Sequence, residues 1–406
     1  MTSLPGLAAD QTDLPPAIAK LSSMRELAKP VTSAERRHRI ERAQQLLAEH
    51  RMSSLLITGG SSLAYFAGMR WTQSERMFAL LIPTKGDVFC VCPTLQEIRV
   101  RELLSAGPLG NAEIHTWEDD EDPYRMVVAG LSDRGIRSGN AGIEETVPYV
   151  FVEGLAKAAT GLTLVSGTPV TAGCRMIKSQ HELELMRLAA KVVWAAFKAA
   201  HESIHEGMTN RQLSELVEQA YRQLGFEGFV DVHTNSASGL LYGSPLPQTI
   251  AEGTIVLMDG GCRVEDYIID ICRTFVVGKP NDKMKRVFEI VRQAHSAALK
   301  AAGPGIAYEQ IDAAARKVIS DFGFGPGYKY FSHRLGHGIG LDLREWPYVA
   351  LGNKERIRPN IVFSDGPGIY LRGEFGVRIE DDIAITDSAA ELMTPQSHSL
   401  EEPFKV

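Results

Sequence analysis

The sequence predicts two domains, an α/β unit followed by a larger α+β unit, and three observations carry that expectation. The chain has 406 residues, 44% hydrophobic and 23% charged, which is enough for two separate cores. Between residues 32 and 168 short apolar strands alternate with helical periodicity. After residue 168 two strong helix starts lead into a long β-branched hairpin at 255–277, with one acid inside each strand.

Taken in order, residues 1–31 carry Pro5, Pro15, Pro16 and Pro30 with little periodicity and are expected to form an N-terminal arm. Thr32 and Glu35 have capping-box spacing, and Ile40, Ala43 and Leu47 give the following helix one apolar face. Strands are expected at 54–58, 78–82 and 88–92, then near 113, 141 and 163, with helices at about 95–105 and 123–132. This domain ends at 168 and shows no chemistry of its own. The second domain, 169–406, announces itself at 174–179, where Ser179 and Glu182 cap a helix that buries Leu183, Met186, Ala190, Val193 and Phe197. Thr209 and Gln212 start another helix with Leu213, Leu216 and Ala220 inward, and helical patterns follow at about 284–301 and 308–321.

The chemistry concentrates in the hairpin. Gly260, Gly261, Glu265 and Asp266 are read as its connection, and centring it near residue 264 or 265 sets Asp259 and Asp270 side by side. A carboxylate in an apolar run is costly to bury unpaired, so two of them together attract a cation; the competing reading turns one or both to solvent at a sheet edge. His337, in the Gly-rich run 333–340, and Glu380, in the strand-like segment 373–382, add an imidazole and a third acid. Such a donor set suits Mn, Fe, Co or Zn better than Ca.

In this order and at these separations, Asp259, Asp270, His337 and Glu380 resemble the M24 family of pita-bread proteins, which includes Xaa-Pro dipeptidases, aminopeptidase P, methionine aminopeptidase and creatinase. The resemblance covers nearly the whole chain after residue 33. It implies a creatinase-like N-terminal α/β domain, a pita-bread C-terminal domain, a homodimer, a dipeptide or other small-molecule substrate, and metal binding by those four residues. Arg378, two residues before Glu380, stands at a retained site position, and His333 is also retained.

Several positions depart from the family pattern. The fifth ligand, a Glu in an S/T-x-E-P-G-I-Y segment, is Gly366 here, and Asp365 could replace it only through a bulge or slip. A pocket His is replaced by Tyr242, a second His by Arg344, and the usual Asp-x-Thr reads Asp270-Ile271-Cys272. Three carboxylates around two divalent ions leave a surplus positive charge, so one ion per chain is expected. The expected catalytic set is His333 and Tyr242 for proton transfer or oxyanion hydrogen bonds, Arg344 as an anion clamp, and Arg378. The bland alternatives are a packed Tyr242, an Arg344 paired with Glu345 or Asp342, and a Cys272 that is only a small buried hydrophobe, against a thiol beside the metal. His115, His205, His233, His295 and His398 show no partner and are expected at the surface or satisfied in a core.

Charge and composition narrow the setting. A net charge of −7 disfavours nucleic acid and anionic membrane as partners. Five cysteines without a CxxC pair fit a reducing cytosol, and neither a membrane-length apolar run nor a secretion signal is present, so a cytoplasmic protein is expected. Three functions follow: a hydrolase or lyase with an altered, mononuclear site acting on a small amide, amidine or dipeptide-like anion; a metal-dependent Xaa-Pro dipeptidase; and a non-catalytic small-molecule-binding homologue.

Overall fold

The computed structural model describes residues 14–405, which form two compact units, 30–177 and 178–405 with residues 14–29. Residues 14–29 of the N-terminal arm are part of the second unit. Its short helix α1 (Pro16–Ala19) buries Ile18, and the Met24 N–H donates to Leu224 O at 2.9 Å. The first 13 residues of the expected arm lie outside the described residues.

The unit 30–177 runs α2 (Ser33–Glu49), β1 (Met52–Ile57), α3 (Gly60–Ala67), β2 (Ala79–Pro83), β3 (Phe89–Pro93), α4 (Glu97–Ser105), β4 (Glu113–Trp117), α5 (Pro123–Asp133), β5 (Gly139–Ile143), α6 (Tyr149–Ala158), β6 (Leu162–Ser166) and α7 (Thr168–Arg175). Its six strands form one mixed sheet in the order β4-β3-β2-β1-β5-β6. Thr32 and Glu35 cap α2 reciprocally, satisfying two N–H groups that a helix start otherwise leaves unpaired. Helix α7, which a boundary at 168 assigns to the following domain, packs against α2 within this unit.

The C-terminal unit contains α8 (Gln180–His201), α9 (Asn210–Leu224), β7 (Glu227–Thr234), α10 (Asn235–Ser238), β8 (Ile255–Val264), β9 (Tyr267–Val276), α11 (Asp282–Ala301) and α12 (Tyr308–Ile319). Seven short strands follow: β10 (Gly336–Gly338), β11 (Glu345–Val349), β12 (Val362–Asp365), β13 (Gly368–Leu371), β14 (Phe375–Arg378), β15 (Asp381–Ile385) and β16 (Ala390–Leu392). Strands β7-β8-β9 form one sheet and β11-β10-β12-β15-β16 another, while β13 pairs with β14. Cys272 and Glu380 join the first sheet to the last strands, each N–H donating to the other's carbonyl at 3.0 and 3.1 Å. Both Ser179 and Thr209 form the expected capping boxes, and α8 packs across β8 and β9.

The hairpin differs from the sequence expectation in register. Its turn is only Glu265-Asp266, both with positive φ (47° and 75°), as a tight two-residue hairpin requires. Gly260 and Gly261 therefore lie inside β8, where the backbones pass so closely that a Cβ on Gly261 would sit 1.7 Å from Ile269 O. The shorter turn moves Asp259 opposite Cys272 and Asp270 opposite Gly261. Moving the centre by one residue moves each partner by two, so the two acids keep a common face but become diagonal neighbours.

Candidate metal centre

Strand pairing alone gathers the expected residues. Asp259 on β8, Asp270 on β9, His337 on β10 and Glu380 between β14 and β15 line one cavity of about 200 Å³, together with His333, Tyr242, Arg344 and Arg378. Within it Asp270, His337 and Glu380 each offer one ligand atom, all within 4.8 Å of one another. The Nδ1–H of His337 donates to Gly338 O at 3.1 Å, which leaves the Nε2 lone pair as the ligand atom. Burial pushes the His337 pKa down to about 4, so the ring is neutral near pH 7. The Asp270 N–H donates to Asp382 Oδ2 at 2.9 Å, fixing the backbone behind the ligand.

The donors fit a cation. Oδ1 of Asp259 and Oδ1 of Asp270 are buried without a hydrogen-bond partner, a costly state that an ion would relieve. Burial, followed for Asp270 by the Asp259 and Glu380 charges, pushes the Asp270 pKa well above the usual carboxylate range. Asp259 is shifted the same way by burial, opposed by Arg378, whose Nη2 donates to Asp259 Oδ2. Arg378 also brings Nε to 3.4 Å from Glu380 Oε2 and donates from Nη1 to the Tyr370 hydroxyl at 3.2 Å.

Gly366 decides how much room remains. A Cβ there would lie 2.6 Å from Glu380 Cδ and 2.7 Å from its Oε2. The Glu380 carboxylate thus occupies the space that a side chain at 366 would enter. Asp365 does not compensate, because β12 runs in regular register opposite β15, with Asp365 paired to Asp381. Its fully buried carboxylate lies 3.8 Å from His295 Nε2, which in turn lies 3.2 Å from Asp381 Oδ2.

Other expectations resolve individually. His333 hydrogen bonds through both ring nitrogens, Nδ1–H donating to Arg334 O at 2.7 Å and Nε2 accepting from the Tyr370 hydroxyl at 2.8 Å. Burial first, then Arg378, pushes its pKa down to about 3. Tyr242 is 87% exposed at the cavity lip, so it is not a packed aromatic. Arg344 is exposed and has no hydrogen-bond or ion-pair partner among the described residues, because Glu345 turns inward to accept from Lys178 Nζ at 2.8 Å. Cys272 is fully buried, and burial raises its pKa well above the ordinary thiol value, so it is a neutral thiol near Arg378 O. Cys262 lies within β8.

Three cavity residues, Asp231, His233 and Arg334, have no role assigned from the sequence, nor does Tyr370, which lies outside the cavity lining. Asp231 and His233 stand two apart on β7, and their polar–apolar alternation with Val230 and Val232 was the available signal. Arg334 stacks over the Tyr348 ring at 4.1 Å, and Tyr370 links His333 to Arg378; neither has a local sequence signature. His295 takes the core alternative, fully buried between two carboxylates, with Nδ1 2.7 Å from Gln396 Nε2.

Fold and site together define a two-unit protein whose carboxylate–histidine cavity, with the donor set of a divalent-cation site, lies in the C-terminal unit. The profile of metallopeptidase family M24 matches residues 184–387, and that of the creatinase/prolidase N-terminal domain matches 39–177. The chain belongs to metallopeptidase family M24, with a pita-bread C-terminal domain and a creatinase-like N-terminal domain. It is 38% identical over 272 residues to an Xaa-Pro dipeptidase of Pyrococcus horikoshii, covering 66% of this chain and 75% of that one. An Xaa-Pro dipeptidase of Lactobacillus delbrueckii subsp. lactis is 30% identical over 369 residues, covering 89% and 98%. Among solved structures, dipeptidase PepE from Mycobacterium ulcerans superimposes with a TM-score of 0.86 at 29% identity, covering 92% of this chain and 99% of that one.

Proposed function

We propose that the chain is a dipeptidase-type hydrolase with a single-cation site, in which Asp270, His337 and Glu380, with Asp259 beside them, hold one Mn, Zn, Fe or Co ion. Arg344 binds the carboxylate of a small dipeptide-like substrate. The observation that carries this reading is the Gly366–Glu380 pair, since the place of a further carboxylate is filled by Glu380 itself. Charge supports it: three carboxylates and the Arg378 guanidinium leave two negative charges, which one divalent ion neutralises and two would overcompensate. When bound, the ion supplies Lewis-acid activation of the scissile carbonyl and of water.

The chain's own residues supply position. Arg344, exposed toward the cavity with no partner, is available to a carboxylate in a bidentate mode. Arg378 holds Asp259, and the run Arg378–Tyr370–His333 fixes that guanidinium from behind. His333 accepts from Tyr370 as a neutral ring, so it acts as a hydrogen-bond anchor there. The test is elemental analysis of dialysed protein combined with turnover of Xaa-Pro dipeptides and their C-terminal amides. One ion per chain, faster hydrolysis of the free acids, and loss of activity in Asp270→Ala are expected. Two tightly held ions, or full activity in Asp270→Ala, would overturn the reading.

A further inference from the structure

The cavity is electrically divided. At one end stand Asp231 and His233, whose strand register places Asp231 directly opposite Asp259, and Asp259 opposite Cys272, in a row across three strands on one face. Arg334 and Arg344 line the cavity from the other sheet, on the segments that flank β10 on either side of His337. Asp270, His337 and Glu380 connect the two sides. The acid end is built rather than incidental. Gly243, at φ 61°, brings the loop bearing Leu241 and Tyr242 so close to His233 that a Cβ there would lie 2.0 Å from the His233 ring. Asp231 is exposed and has no hydrogen-bond or ion-pair partner among the described residues, although it lines the cavity.

We propose that Asp231, flanked by His233, is the subsite for a cationic group on the substrate, so that the cavity takes a compact zwitterion with its ammonium at Asp231 and its carboxylate at Arg344. The inference rests on the single-cation hydrolase reading above and adds a second specificity determinant to it. Volume suits the same class: about 200 Å³ is small beside the roughly 300–1,000 Å³ of drug-sized sites. Asp231 is well suited to reading charge. It is not shared with Arg378, unlike Asp259, and its position beside Asp259 lets an ammonium interact with one acid while its neighbouring carbonyl approaches the cation site.

The test uses the full-length protein with Ala-Pro and N-acetyl-Ala-Pro, measured as hydrolysis or inhibition constants of the cation-loaded protein and as calorimetric binding to the cation-free protein, in which hydrolysis is suppressed. Wild type is expected to prefer the free amine by about twofold to fivefold, the range for an ion pair with an exposed carboxylate. Asp231→Asn should weaken Ala-Pro by that factor and leave the acetylated compound unchanged, so that the preference collapses, while Asp231→Glu should restore much of it. Because Asp231 is exposed, these changes do not challenge folding. An unchanged preference in Asp231→Asn would overturn this inference and leave the hydrolase reading standing. Failure of wild type to bind or hydrolyse either compound would overturn both.

Discussion

Gly366→Ala is the smallest change that probes the centre. The new Cβ would sit 2.6 Å from Glu380 Cδ and 2.7 Å from Oε2, where unstrained carbon contacts need about 3.5–4.0 Å. The Glu380 backbone cannot retreat, because its N–H and carbonyl are both tied to Cys272. The carboxylate must therefore rotate away, also losing its 3.4 Å approach to Arg378 Nε. Overpacking of this kind costs about 1–3 kcal/mol. Since Glu380 is one of three donors converging on a point, the displacement should appear directly in cation binding, at about 1.4 kcal/mol per tenfold. Calorimetric titration of metal-free protein with Mn²⁺ should give an affinity between about fivefold and a hundredfold weaker than wild type. Gly366→Glu displaces the same carboxylate but returns one of its own, so its loss should be smaller. Wild-type affinity in the alanine variant would refute the assignment of Glu380 as a ligand in this position, and a glutamate variant weaker than alanine would refute the charge argument.

Three further outcomes follow from groups outside the cation site. Arg273→Met strands the fully buried Asp381, held at 2.6 Å by Arg273 Nη2, and should cost about 3–5 kcal/mol in urea unfolding; a loss near zero would show that the pair is not structural. Asp365 is raised by burial from 3.8 to about 7, opposed by His295, so the folded state holds its proton more tightly and stability falls as pH rises from about 4 to 7. Asp365→Asn removes that penalty, and its stability relative to wild type should improve between pH 5 and pH 8 by on the order of 2–4 kcal/mol; a decline across the same interval would reverse the assigned sign. All five cysteines are free and buried, so a thiol reagent should find none in the native protein and five after denaturation. Rapid native labelling of Cys272 would contradict its neutral, enclosed state.

Short-range rules made much of this protein legible. Capping boxes at Thr32, Ser179 and Thr209 and the apolar stripe of α8 depend on residues within a turn or two of each other, and the helices they predict are present. The residue types of the centre were equally readable, because acids inside β-branched runs and a His in a Gly-rich segment are chemically conspicuous. The arrangement was not. Register depended on a turn of only Glu265-Asp266, which moved Asp259 away from Asp270 and opposite Cys272. Only long-range pairing showed that Glu380 fills the space beside Gly366, that Asp365 faces His295, and that Lys178 takes Glu345 and leaves Arg344 open. Asp231 and Arg334 entered the cavity for the same reason: a strand's periodicity gives a side chain's face, but which cavity that face borders is set by the strands across the sheet.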